Sequence, residues 1–163
     1  MKKYILFDND GVLVHTEPLY FKANIIALEE YFNISLEFEE YMKIMSKGTT
    51  VWQKAFEKGF SSHEIDKARN QRNLYYQNFL RTENILIPQV KEVLEKLSKK
   101  YKMGIVTTSR RVDFEIIHRN LGIVDYMDFV LCEEDYNYAK PHPEPYLKGL
   151  ELFKAKKEET IVI

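Results

Sequence analysis

Cysteine is almost absent from this chain. The single Cys132 rules out an intrachain disulfide and a multi-cysteine zinc site. No His follows it in a recognisable pattern, so it reads as a buried residue at a strand end rather than a nucleophile. Charge imbalance is missing too: 24 basic against 25 acidic residues leave a net charge of −1. That balance gives no bulk attraction to nucleic acid or to a membrane, and any anion must be recognised locally. Long apolar runs are also lacking. Met1-Lys2-Lys3 looks like the start of a signal peptide, but only Tyr4-Ile5-Leu6-Phe7 separates it from Asp8. Such a run is too short to export or anchor a chain, so a cytoplasmic location is expected. The 6 glycines and 5 prolines punctuate the sequence, with no repeat, low-complexity tract or Gly/Ser linker. What remains is 163 residues of ordinary globular composition, enough for one domain or a domain with a modest insertion.

The most informative stretch is the start. Four apolar residues deliver Asp8-Asn9-Asp10-Gly11, as a buried parallel strand delivers a site at its C-terminal end. Two carboxylates so close repel one another, which raises one pKa. A protein holds them together when a cation sits between them or when one must carry a proton. Phosphoryl transfer through an aspartyl-phosphate needs both. A strand ending in an Asp-rich turn is the simpler alternative at this point. A calcium-binding EF-hand loop is excluded, because Val12 and Leu19 stand where it needs oxygen ligands.

Helix signals then follow one another. Thr16 can cap a helix that begins at Glu17-Pro18 and runs to about Tyr31. A second helix is expected from Leu36 to Lys47, closed by Gly48, and a third from Thr50 to Lys58, closed by Gly59. Ser61-Ser62-His63-Glu64 has the spacing of a capping box and opens a fourth, reaching about Arg81. The aromatic residues of this segment, among them Phe32, Phe38, Tyr41, Phe56 and Tyr76, read as bundle core. From Pro88 the pattern alternates: helix to Lys100, strand Met103 to Val106 ending in Thr107-Thr108-Ser109, helix Val112 to Leu121. Strand Phe129 to Leu131 follows, then a loop with Lys140-Pro141, a helix Glu144 to Phe153, and the run Ile161 to Ile163. Alternation of this kind implies an α/β fold with a parallel sheet. The expected domains are a Rossmann-like core, 1–15 with 83–163, and a helical segment, 16–82, inserted after the first strand.

On this topology Asp8 and Asp10, Thr107 and Ser109, and Lys140 converge on one sheet edge. A carboxylate nucleophile, hydroxyl and N–H donors, and an ammonium are what a transferring phosphoryl group needs. Here the sequence resembles the haloacid dehalogenase superfamily, in its phosphatase and β-phosphoglucomutase-like branch with a helical cap. FDNDGVLVHTEPLY looks like the first motif, GIVTTS like the second and KPHPE like the third. The resemblance implies a Mg²⁺-dependent enzyme acting on a small phosphorylated metabolite. Asp8 would become phosphorylated, Asp10 would move protons, Thr107 would supply a hydroxyl and Lys140 the cation. Mg²⁺ would contact an Asp8 oxygen and the Asp10 main-chain carbonyl. Thr108, Ser109 and Arg110 are candidate substrate contacts in the second motif. Lys47, Gly48, Thr49 and Thr50 resemble the specificity loop of the cap. A halide leaves without a proton, whereas an ester alkoxide needs one, so the acid at position 10 favours a phosphate monoester.

Three departures qualify the resemblance. His15 stands where an Asp is usual, and is either a hinge residue or a further substrate contact. Tyr20 and Val51 occupy positions where β-phosphoglucomutases carry a His and an Arg, which favours a phosphatase over a mutase. Lys47 or Arg110 could still provide a second phosphate contact. The fourth motif, Gly-Asp and a further acid after a strand such as Thr160-Ile161-Val162-Ile163, is not among the 163 residues. The expectation for these 163 residues is therefore weak Mg²⁺ binding and very slow turnover of phosphate esters, with either self-association through an exposed sheet edge or marginal stability; a truncated, inactive fold is the competing alternative. Glu133, Glu134 and Asp135 read as solvated loop charges, not substitute metal ligands.

Overall fold

The computed structural model describes residues 1–163. Its strands are β1 (Tyr4–Phe7), β2 (Lys102–Val106), β3 (Phe129–Leu131) and β4 (Thr160–Val162). They lie in the order β3-β2-β1-β4, and every pair is parallel. Ile5 stands opposite Met103 on one side and Ile161 on the other, and Ile105 is paired with Val130. A central parallel strand is covered on both faces, which is why β1 and β2 read as unbroken apolar runs. Ile5, Leu6, Met103, Ile105 and Val106 are all buried. Because β1 and β2 are parallel neighbours, Asp8 and Thr107 leave the sheet at the same edge.

Seven α-helices complete the chain: α1 (Glu17–Phe32), α2 (Phe38–Ser46), α3 (Gln53–Glu57), α4 (Ser62–Thr82), α5 (Val90–Ser98), α6 (Arg111–His118) and α7 (Glu144–Phe153). The chain divides into two compact units, Met1–Thr16 with Asn84–Ile163, and Glu17–Glu83. In the sheet unit Leu6, Val106, Leu131 and Phe153 form a core cluster. Helix α7 comes close to the sheet because Gly149 has no side chain: a Cβ there would lie 2.9 Å from both methyls of Leu6. Thr16 belongs with this unit, since its hydroxyl is hydrogen-bonded to Asp10.

In the helical unit α1 packs along α4 over a core that includes Leu28, Phe32, Tyr41, Ile65 and Ala68. The Ser61 capping box forms in both directions, with Ser61 N–H donating to Glu64 at 2.8 Å. Helix α3 starts three residues later than its Thr50 signal suggests. Thr50 to Trp52 form a turn that sends Val51 and Trp52 into the core at 2% and 3% exposure. Trp52 is already in helical backbone geometry and its carbonyl accepts from Ala55 and Phe56, so the turn leads directly into the helix. Not every aromatic is core: Phe38 and Phe56 are 53% and 40% exposed.

Candidate active site

Asp8 is the first residue past β1, and its amide donates to the Ile163 carbonyl at 2.7 Å. One carboxylate oxygen of Asp8 accepts the Asn9 amide at 2.7 Å; the other lies 2.7 Å from Lys140 Nζ. Lys140 Nζ also donates to the Val106 carbonyl at 3.3 Å, at the end of β2. One residue supplies the cation to two strand ends. Gly11, at φ +78°, turns the chain back after Asp10. The left-handed conformation needed there is the one glycine adopts without a steric penalty. The N–H groups of Val12, Leu13 and Val14 then converge on the Asn9 carbonyl at 2.8–3.2 Å.

The Asp10 carboxylate is held by hydroxyls. Thr16 donates to one oxygen; Ser109 at 2.7 Å and Thr107 at 3.3 Å donate to the other, joined by Asn9 Nδ2 at 3.3 Å. The repulsion expected between the two acids is met separately at each: an ammonium at Asp8, a set of neutral donors at Asp10. Thr107 is itself pinned, because its carbonyl accepts the Tyr136 hydroxyl at 2.7 Å in a buried setting. Burial pushes the Tyr136 phenol up to about 12, so it stays a donor at any physiological pH. Asp8, Asp10, Thr107, Ser109 and Lys140 thus form one cluster. It presents one carboxylate beside an ammonium and a second carboxylate surrounded by hydroxyl donors.

A sequence profile of haloacid dehalogenase-like hydrolases matches residues 5–163. The chain belongs to that family. It is 29% identical over 163 residues to pyrophosphatase PpaX of Bacillus mycoides, covering 98% of this chain and 73% of the relative. Among solved structures, the predicted phosphoglycolate phosphatase of Haemophilus somnus superposes with a TM-score of 0.82 at 26% identity. That match covers 99% of this chain and 76% of the other. CbbY of Rhodobacter sphaeroides, solved in complex with phosphate, shares the fold at a TM-score of 0.79 and 19% identity, over 99% of this chain and 77% of that one.

Other candidate residues of this haloacid dehalogenase-like chain are placed differently. Arg110 is committed to Asp113 through Nε at 2.8 Å and Nη2 at 2.6 Å, and so does not point into the cluster. Thr108 and His15 are exposed. Lys47, Gly48, Thr49 and Thr50 are exposed in the helical unit, between α2 and α3. Glu134 and Asp135 are not free loop charges. Glu134 accepts the Arg111 amide at 3.0 Å at the start of α6, and Asp135 pairs with the Arg111 side chain and accepts the Cys132 amide at 2.7 Å. Burial holds the Cys132 thiol up at about 12, which removes it as a nucleophile.

No group of three or more His, Cys, Asp or Glu is placed to hold a metal by itself. The donors at the end of β1 are nevertheless of one type: an Asp8 carboxylate oxygen and the Asp10 main-chain carbonyl, which the turn's own hydrogen bonds leave unused. Mg²⁺ characteristically takes one or two such hard oxygens and completes its shell with water and substrate phosphate. The residues present fit Mg²⁺ held jointly with a phosphate.

Three residues here have no signal in the motif pattern: Tyr136, Asn9 and His118. Asn9 is fully buried, and its side-chain oxygen lies 2.7 Å from Nε2 of His118, the last residue of α6. Burial lowers the His118 pKa to about 4, partly opposed by the negative charge of Asp10. The unfolded chain binds this proton near pH 6.5, whereas the folded one resists it until about 4. Stability contributed by neutral His118 is therefore complete above pH 6.5 and is lost as pH falls towards 4. Urea unfolding of wild type and His118→Gln should show the wild type losing about 2 kcal/mol more than the variant between pH 7 and pH 5. Equal losses would contradict the neutral, buried imidazole.

Proposed function

We propose that this chain is a Mg²⁺-assisted phosphatase that hydrolyses a small phosphate monoester through an aspartyl-phosphate on Asp8. The observation that carries the reading is the pairing of Asp8 with Lys140 at 2.7 Å, beside an Asp10 held by hydroxyl donors. An unprotonated Asp8 oxygen attacks phosphorus as the ester P–O bond breaks, and Asp10 gives its proton to the leaving alkoxide. A water then attacks the aspartyl-phosphate and passes a proton back to Asp10. The P–O bond to Asp8 breaks, which releases phosphate and restores both carboxyl groups. Lys140 and the Thr107 hydroxyl neutralise charge that grows on the phosphoryl oxygens. Asp8 and the Asp10 main-chain carbonyl would hold Mg²⁺, which would supply further positive charge for those oxygens.

The names of the relatives support hydrolysis of small phosphate compounds: a pyrophosphatase splits a phosphoanhydride and a phosphoglycolate phosphatase a monoester, and the acid at Asp10, which a leaving alkoxide needs, favours the monoester. A mutase would have to grip a second phosphate, and Val51 is buried in the helical core at 2% exposure. The test is hydrolysis of p-nitrophenyl phosphate by wild type and by Asp10→Asn, with MgCl₂ and with EDTA. The expected result is Mg²⁺-dependent turnover that falls by ~10²–10⁴-fold in Asp10→Asn, the usual contribution of a positioned acid–base group. Full turnover in EDTA would remove the metal from the mechanism, and an unimpaired Asp10→Asn would remove the acid.

A further inference from the structure

Between the two aspartates of the site stands a residue that the mechanism does not use. Asn9 has no exposed surface, and side chains of its kind are rarely buried without a partner. Its partner is His118, 109 residues away in sequence, at 2.7 Å. An amide oxygen only accepts, so His118 Nε2 carries the proton and donates. Nδ1 is then a bare acceptor, and it has no hydrogen-bond partner although it is buried. Leaving a buried polar atom unpaired forfeits its hydration with nothing in return, whereas an apolar pair at these positions would carry no such cost. The chain tolerates an expensive arrangement immediately behind its nucleophile.

The surroundings show what the arrangement controls. The Asn9 carbonyl gathers the amides of Val12, Leu13 and Val14, so the whole turn after β1 hangs on this residue. The Asn9 amide donates to the Asp8 carboxylate, and its Nδ2 reaches the Asp10 carboxylate at 3.3 Å. Rotation of the Asn9 side chain would therefore release Asp10 directly, whereas Asp8, held by the Asn9 main-chain amide, would be disturbed through a shift of the turn's backbone. His118 opposes that rotation from a rigid base: its ring lies against Phe114 with centroids 4.3 Å apart, and both sit on α6. Arg110–Asp113 and the Glu134 carboxylate secure the start of that helix.

We infer that Asn9 and His118 are positioning residues for phosphoryl transfer, a buried hydrogen-bonded brace that sets the orientation of the Asp8 and Asp10 carboxylates from the α6 side. The inference rests on the phosphatase reading above. The brace touches neither substrate nor metal; it acts through the aspartates. Its loss should appear in the chemical step, since displacements of about 1 Å at reacting groups can cost ~10²-fold in rate.

The experiment compares wild type with Asn9→Leu, His118→Leu, His118→Gln and the double variant Asn9→Leu/His118→Leu. Turnover of p-nitrophenyl phosphate with MgCl₂ is measured alongside thermal melting. Each Leu single variant should lose ~10-fold or more in kcat with KM within about twofold of wild type. His118→Gln, whose amide N–H can replace the imidazole donor, should recover most of that kcat. The double variant, with no polar atom left unpaired, should regain the melting temperature lost by the single variants while its kcat stays low. If the single variants fail to fold, the double variant and His118→Gln carry the comparison. Wild-type kcat in the double variant would overturn the brace and leave an ordinary structural contact. A wild-type chain that shows neither turnover nor a melting shift with MgCl₂ and fluoroberyllate would overturn the phosphatase reading, and the brace with it. An active wild type with an unaffected double variant overturns the brace alone.

Discussion

Asp8→Asn is expected to leave the fold intact and to reduce turnover by at least ~10³-fold, because an amide cannot serve as the phosphoryl acceptor. The surroundings of the side chain explain why the fold survives. Asp8 is partly solvated, with a side chain 36% exposed, and its partners at 2.7 Å are a lysine and a backbone amide. An asparagine of the same shape keeps an oxygen for the Asn9 amide and places its NH₂ near Lys140. The mutant leaves Lys140, 15% exposed, without its counter-ion but still donating to the Val106 carbonyl, so a modest loss of stability is expected with the fold retained. Circular dichroism should therefore match wild type, with a slightly lower melting temperature, while p-nitrophenyl phosphate hydrolysis falls by the stated factor. An Asp8→Asn protein that retains more than a few per cent of wild-type kcat would mean that another group accepts the phosphoryl, or that water attacks directly.

Lys140→Met is the second large effect. Its ammonium joins the carboxylate at the end of β1 to the carbonyl at the end of β2, and the side chain is only 15% exposed. A positive charge fixed in a partly desolvated position is worth more to a developing phosphoryl charge than the same charge in water. Removing one preorganised donor of this type typically costs ~10²–10³-fold in kcat. Methionine retains much of the aliphatic stem, so packing changes little and the effect should fall on kcat. A Lys140→Met kcat within a few-fold of wild type would show that the ion pair with Asp8 is structural.

Much of this site is legible in the chain because its chemistry sits at strand termini. An apolar run ending in Asp-x-Asp-Gly, another ending in Thr-Thr-Ser and a Lys-Pro loop are local patterns, and a parallel sheet brings them to one edge. What the sequence hides are the contacts made across the fold. Nothing near Asn9 announces that its partner is a histidine on α6, and nothing near Tyr136 announces that its hydroxyl holds the Thr107 carbonyl. Arg110 is misleading for the same reason: an arginine beside a phosphate-type loop looks free until Asp113, three residues on, takes it. The start of α3 is blurred because Thr50 to Trp52 enter it as a tight turn, with Trp52 already in helical geometry and Val51 and Trp52 in the core. Charge in the 133–135 loop reads as solvated, and Glu133 and Glu134 are exposed; what the sequence does not show is that Glu134 and Asp135 also fasten the start of α6.

A covalent phosphoryl group on Asp8 can be trapped chemically. Wild-type protein turning over p-nitrophenyl phosphate with MgCl₂ is quenched, reduced with borohydride and mapped by peptide mass spectrometry. Reduction converts an aspartyl-phosphate to homoserine, so the account predicts homoserine at position 8 and an unaltered Asp10. Homoserine at position 10, or an active enzyme with no reduced aspartate at either position, would contradict it.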